Sequence, residues 1–188
     1  MLFRSRIDGC RLGVAVVSVA EHHALSPDHV SCFVLTVSDT RKLETETSGR
    51  AIAELLEQAG HKVTGRNLVR DDPEAVIAQI RKEIGRGEAR VVITTGGTGI
   101  AKRDSTYEAL TGLFDKTIVG FGELFRMLSF QEIGPAAMLS RATAGVIRDC
   151  AVFVLPGSEH AVRLAMTKLI LPELGHIARE LTKDKQQH

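Results

Sequence analysis

From Val30 onward, short apolar runs alternate with stretches in which apolar residues recur every three or four positions. Ser31–Ser38 (SCFVLTVS) is β-branched and apolar, the pattern of a buried strand. A polar loop, Thr40–Ser48, follows. Ser48-Gly49 then opens a helix that sets Ile52, Leu55, Leu56 and Ala59 on one face and ends at Gly60. His61–Val69 predicts a second strand. Asp72-Pro73-Glu74 joins an N-cap, a first-turn proline and an acid, so a helix burying Val76, Ile77, Ile80 and Ile84 is expected up to Gly85–Gly87. Arg90–Thr95 reads as a third strand, Tyr107–Leu110 as a short helix, and Phe121–Ile133 as an amphipathic helix that stops before Gly134-Pro135. Ser140–Val146 and Ala151–Leu155 predict two more strands. Pro156-Gly157-Ser158 turns into a helix carrying Val162, Leu164, Ala165, Leu169 and Ile170; Pro172 is expected to start a last helix to Leu181, with Lys183–His188 fraying.

Strands and helices in this alternation imply an α/β fold, a mostly parallel sheet with helices on both faces. In such folds ligands gather at the carboxyl ends of the strands. Four polar segments fall at those predicted ends: Ser38-Asp39, Asp71-Asp72, Gly96–Asp104 and Gly157-Ser158. A crevice lined by these loops is therefore the expected binding site.

The densest chemistry lies at Val91–Gly99, where a buried strand runs into three glycines and the hydroxyls of Thr95 and Thr98. Asp104 follows five residues after the last glycine. Glycines let the backbone turn sharply and bring N–H groups close to an anion. A nearby carboxylate can hold a cation against that anion. The motif is not a P-loop, because no Gly-Lys-Ser/Thr follows at the required spacing, and it is not the dinucleotide fingerprint, because Lys102 stands where the third glycine would be. The competing reading is a flexible turn with Asp104 or Ser105 capping the next helix. Asp71 and Asp72 have the same two readings, site or helix cap, and Ser38-Asp39 is either a contact or a strand-ending turn.

Composition narrows the function. The 188 residues suit one domain: residues 30–188 as a single α/β domain behind an N-terminal extension, 1–29. Apolar content of 44% and charged content of 25% mark a globular chain rather than a disordered one. Twenty-four basic and 23 acidic residues leave a formal net charge of +1, which argues against nucleic acid as a partner. With no Trp and one Tyr, stacking platforms for single strands are not expected either. Cys10, Cys32 and Cys150 are widely spaced, which argues against a disulfide framework or zinc site and fits a reducing cytoplasm. Arg4, Arg6 and Arg11 before Leu12–Ala20 loosely resemble a signal peptide. That apolar run is too short to span a bilayer, and the preferred reading is an extension outside the domain, with no membrane partner.

Several segments occur together in one order: Thr36-Val37-Ser38-Asp39, Thr95–Gly99, Arg103-Asp104, Glu108-Ala109, Gly120-Phe121-Gly122-Glu123, Leu139-Ser140-Arg141 and Leu155-Pro156-Gly157-Ser158. In this the chain resembles the molybdenum cofactor biosynthesis family, which includes the bacterial MoaB and MogA proteins and the molybdopterin adenylyltransferase domains of plants and animals. The resemblance covers about Ser18 to Lys183, and the run Phe121–Gly134 is most similar to the MoaB branch. It implies a three-layer sandwich that assembles as trimers or, in that branch, as hexamers. Met127 and Leu128 accordingly read as core or subunit interface. It also implies the chemistry: transfer of AMP from Mg²⁺-ATP to the terminal phosphate of molybdopterin, with release of pyrophosphate. The adenylylated product would pass to a molybdate-insertion enzyme.

On that assignment Asp71 and Asp104 are the expected catalytic residues and Mg²⁺ ligands. Ser38, Asp39, Thr95, Gly96, Gly97, Thr98 and Gly99 would bind the nucleotide phosphates. Glu123, Ser140, Arg141, Pro156, Gly157 and Ser158 would bind molybdopterin, with Arg141 on its phosphate. A non-catalytic oligomeric carrier or regulator that binds molybdopterin is the alternative. Three departures from the family pattern stand out: Tyr107 where a proline is usual, Glu159 after Gly157-Ser158, and Glu46 where Asp is frequent.

Overall fold

The computed structural model describes residues 26–102 and 104–183. Apolar segments become strands close to where the pattern puts them: β1 (Ser31–Val37), β2 (Lys62–Val69), β3 (Val91–Thr95), β5 (Thr143–Ile147) and β6 (Cys150–Leu155), with a two-residue β4 (Lys116–Thr117) that the pattern does not reveal. They form one six-stranded sheet in the order β2-β1-β3-β6-β5-β4. β1 pairs in parallel with β2 and β3, and β3 in parallel with β6. The remaining edge is antiparallel, because β5 turns back into β6 through Arg148 at a φ of 55° and β4 pairs against β5.

The helices are α1 (Ser48–Gln58), α2 (Pro73–Arg86), α3 (Thr106–Thr111), α4 (Val119–Ile133), α5 (Glu159–Ala165) and α6 (Leu171–Glu180). They cover both faces of the sheet, giving three layers. On one face Ile52 and Leu56 of α1, Phe125 of α4 and Leu174 of α6 pack on Val34, Ile93 and Phe153. On the other, Val76 and Ile80 of α2 and Leu110 of α3 pack on Leu35, Val92 and Val154. Period-two alternation therefore sends every second residue of the central strands into one apolar layer and the rest into the other.

The ends of these elements differ from the sequence expectation in instructive ways. Gly134–Leu139 forms a 3-10 turn, so the strand expected from Ser140 begins at Thr143. Pro172 does not open a separate helix. A π turn, Met166–Ile170, carries the chain from α5 straight into α6. Proline lacks an N–H and crowds the preceding turn, and a wider turn is one way to absorb that defect without breaking the helix. The leader-like run and most of the expected extension 1–29, together with residues 184–188, lie outside the described residues. Lys183, expected to fray, ion-pairs with Glu180. Among the described residues no helix is long and apolar enough to cross a membrane.

Candidate phosphate-binding turn and its aspartates

Because β1, β2, β3 and β6 run parallel, the four polar segments that follow them share one edge of the sheet. From β1 the chain moves outward to β2, then crosses back to β3 on the other side of β1. That reversal leaves a crevice at the carboxyl ends of β1 and β3, the usual ligand position in such sheets. The glycine turn begins there. Gly96 has a φ of 103° and lies against the Val37 carbonyl, and Gly97 has a φ of 65°. A side chain at Gly97 would overlap Thr106 and come within 2.8 Å of Asp71 Oδ1. One at Gly99 would meet the Asp104 carboxylate. The turn is thus packed between two aspartates, with no room for a Cβ.

Its hydrogen bonding is one-sided. The Gly96 amide donates to Leu155 O, and the Gly97 carbonyl accepts from the Thr106 amide at 3.1 Å. The Ala101 amide donates to Asp104 Oδ2 at 2.9 Å, while the Asp104 amide returns to Ala101 O. The amides of Gly97, Thr98, Gly99 and Ile100 have no acceptor among the described residues. Consecutive unpaired N–H groups in a turn of this kind form a concavity for an anion.

Asp71 and Asp104 come together at this turn. Asp71 Oδ1 accepts from Thr106 Oγ1 at 3.1 Å, and the Asp71 amide donates to Asp39 Oδ1 at 3.3 Å. Partial burial holds the Asp71 carboxyl above the usual aspartate range; the Thr106 hydroxyl opposes that, and the charges of Asp104 and Asp39 add to it. A carboxylate held above its ordinary pKa by burial and like charge is poised to gain from a cation. All the donors here are oxygens, which suits magnesium. Among the described residues no three or more acidic, His or Cys side chains form a closed metal cage. Magnesium normally takes one or two carboxylates and completes its shell with water and substrate phosphate, so this donor set fits it.

The other expected site residues divide. Asp39 is exposed and pairs with Arg70 at 3.5 Å. Ser38 Oγ accepts from the amides of Thr40 and Arg41, a local turn. Thr95 Oγ1 donates to Pro156 O at 2.8 Å, tying the turn after β3 to the one after β6, and Gly157 packs on Gly96. Ser158 caps α5 by accepting from the Ala161 amide, and Ser140 Oγ lies 3.5 Å from the Ala142 amide. Glu123 is exposed in the second turn of α4, without a described bond to the glycine turn. Asp72 is a helix cap, accepting from the Ala75 amide at 2.9 Å. Glu159 pairs with Arg163, whose hydrogen bond lowers its pKa, so its charge is partly balanced.

Arg141 is not free to wait for a phosphate. Its Nε donates to Thr98 O at 2.9 Å, one terminal nitrogen to Gly99 O and Asp104 O, and the other to Glu108. Its guanidinium lies 4.9 Å from the centre of the Tyr107 ring. Thr106, Tyr107 and Glu108 therefore join the site through contacts that the sequence reading did not assign. The available signal was the hydroxyl two residues after Asp104.

Two cavities flank the turn. One of about 610 Å³ is bordered by Asp39, Arg70, Asp71 and Asp72, and one of about 310 Å³ by Gly99, Lys102, Asp104 and Arg141. An equally large cavity near His29, Arg90 and Arg179 lies at the amino ends of the strands, away from both aspartates, so size alone does not mark the site.

The family model described as a probable molybdopterin binding domain matches residues 33–176. Molybdenum cofactor biosynthesis protein B of Bacillus cereus is 54% identical over 166 residues, covering 88% of this chain and 98% of the relative. A crystal structure of a molybdenum cofactor biosynthesis protein B superposes with a TM-score of 0.82 at 55% identity, over 84% of this chain and 99% of that one. The tungsten cofactor synthesizing protein MoaB from Pyrococcus furiosus matches with a TM-score of 0.76 at 38% identity, over 84% of this chain and all of that one.

Proposed function

The chain belongs to the family of probable molybdopterin binding domains, and from that premise we propose that it acts in molybdenum cofactor biosynthesis as a molybdopterin adenylyltransferase. A terminal phosphate oxygen of molybdopterin attacks the α-phosphorus of ATP. A new P–O–P linkage forms, the bond between the α- and β-phosphates breaks, and pyrophosphate leaves. The attacking phosphate is anionic at neutral pH, so no strong general base is required. Positioning and charge neutralisation carry the rate.

In this reading the unpaired amides of Gly97–Ile100 bind the nucleotide phosphates, and Asp71 and Asp104 hold magnesium. When bound, magnesium supplies positive charge to the phosphates. Thr106 keeps Asp71 aimed at the turn. The observation that carries the proposal is the convergence of Asp71 at Gly97 and Asp104 at Gly99 on one amide-lined bend. The adenylylated product would pass to a molybdate-insertion enzyme, and the cytoplasm is the expected compartment.

Purified protein given magnesium, ATP and molybdopterin should release pyrophosphate and form the adenylylated pterin, detectable by mass spectrometry. Asp104→Asn should lower the rate by on the order of 10²-fold. Tight binding of molybdopterin by the wild-type protein without pyrophosphate release would replace this reading with that of a non-catalytic carrier.

A further inference from the structure

Arg141 reaches the glycine turn from 42 and 43 residues away in sequence and gives three donor contacts to its backbone carbonyls, at Thr98, Gly99 and Asp104. Its side chain is mostly buried, at 23% exposed. Glu108 takes the remaining terminal nitrogen, and that hydrogen bond holds the Glu108 carboxyl below its ordinary range. Tyr107 supplies the ring on which the guanidinium lies. The planar fork is thus used from several sides at once.

This arrangement has a directional consequence. The peptide bonds described here are all trans. In a trans peptide the carbonyl of one residue and the N–H of the next point in opposite directions. When Arg141 draws the Thr98 and Gly99 carbonyls toward itself, the amides of Gly99 and Ile100 are turned away from it. Those are two of the four unpaired amides of the turn. The same guanidinium, through Asp104 O, ties down the backbone of the residue whose carboxylate anchors Ala101.

We infer that Arg141 is a positioning residue: it fixes the amide-bearing face of the turn for the nucleotide phosphates and does not itself hold the pterin phosphate. The inference deepens the adenylyltransferase reading and rests on it for the identity of the anion. Shape, not charge, is what the residue contributes. Lysine keeps the charge but cannot supply a planar fork with several donors, so it should not substitute.

The experiment uses the full chain with Arg141→Ala and Arg141→Lys. Mg²⁺-ATP and inorganic pyrophosphate are titrated by calorimetry, and molybdopterin separately. Hydrogen exchange follows the Ala101 and Asp104 amides, both paired inside the loop. Acrylamide quenching reads Tyr107, the chain's single tyrosine in the absence of tryptophan. Both variants should weaken Mg²⁺-ATP binding by about tenfold or more, as misplaced contacts do, and raise KM for ATP. Molybdopterin affinity should stay within about twofold of wild type, the scatter expected for a site left intact. Exchange and quenching should both increase.

Restored ATP affinity and amide protection in Arg141→Lys would overturn the inference, since charge alone would then suffice. So would a loss of molybdopterin affinity with ATP binding intact, which is the signature of a direct phosphate contact. Unchanged exchange and quenching in both variants would also overturn it. A wild-type protein that binds no Mg²⁺-ATP would instead sink the adenylyltransferase reading, while exchange and quenching still judge whether Arg141 sets the turn.

Discussion

Asp71 carries a conflict that a single side chain can reveal. It is partly buried and faces the charges of Asp104 and Asp39, so its carboxyl titrates above the ordinary aspartate range. The sign of the consequence follows from linkage. The unfolded chain gives up this proton at lower pH than the folded one, so stability falls as pH rises through the interval between the two values. At neutral pH the charged form costs the fold something, and below the ordinary aspartate range it costs nothing. Asp71→Asn removes the charge and keeps an oxygen for the Thr106 hydroxyl. That variant should melt higher than wild type at pH 7, and the gain should vanish near pH ~3, below the roughly 3.9 of an unperturbed aspartate, where the side chain is protonated in both states. Thermal melts at both pH values check the sign. If Asp71 holds magnesium as proposed, the ion should narrow the pH 7 gap by stabilising the wild type alone. Greater stability with lost turnover is the pattern expected where a residue is kept for chemistry and not for folding.

At the scale of elements, the neighbouring aspartates separate cleanly. Asp72 has extended dihedrals, φ −127° and ψ 123°, and its carboxylate accepts from the Ala75 amide, ahead of Pro73 and Glu74 in the first turn of α2. Asp72→Ala should cost about 1 kcal/mol in urea denaturation, the usual value of such a cap. Mg²⁺-ATP affinity should be unchanged, whereas on the proposed role of Asp71 the Asp71→Asn variant should lose affinity. The cap was readable from sequence because every group in it lies within four residues. The same holds for β1, β3 and the helix stop at Gly87, which takes a left-handed φ of 69°. What depended on distant partners was not readable. Glu46 sits in a loop that looks solvated, yet it is fully buried, accepting from the Gly49 amide and pairing with Arg66, twenty residues on. Two-residue β4 depends on β5 beside it, and the π turn before Pro172 joins into one run two helices that the sequence pattern separates. The charge of Arg141 was visible in the sequence, and its carbonyl partners at Thr98, Gly99 and Asp104 were not.

The whole molecule combines a site at the strand ends with an apolar surface elsewhere. Leu124, Met127, Phe130 and Ile133, spaced three apart on α4, are each about half exposed, and Met138 and Leu139 just beyond are 79% and 55% exposed. Leu128, between them, packs against the core. So many large apolar side chains facing water cost a monomer solvation energy and mark an interaction surface. The resemblance to the MoaB branch implies trimers or hexamers, and a second copy of this chain is the occupant that fits: the face is mainly apolar, with Glu123 and Arg126 of opposite sign between its apolar side chains and no run of basic residues such as a membrane surface or nucleic acid would require. The glycine turn, by contrast, is completed within one chain, from β1, β2, β3, α3 and Arg141. Association and phosphate binding should therefore be separable. Light scattering on the full chain should give a multiple of the monomer mass, with the hexamer expected. Phe130→Glu paired with Met127→Lys should yield smaller species with unchanged far-ultraviolet circular dichroism. Mg²⁺-ATP affinity in that variant should stay close to wild type. A wild-type monomer, or an oligomer untouched by these two charges, would mean that this face is covered by something other than a copy of itself.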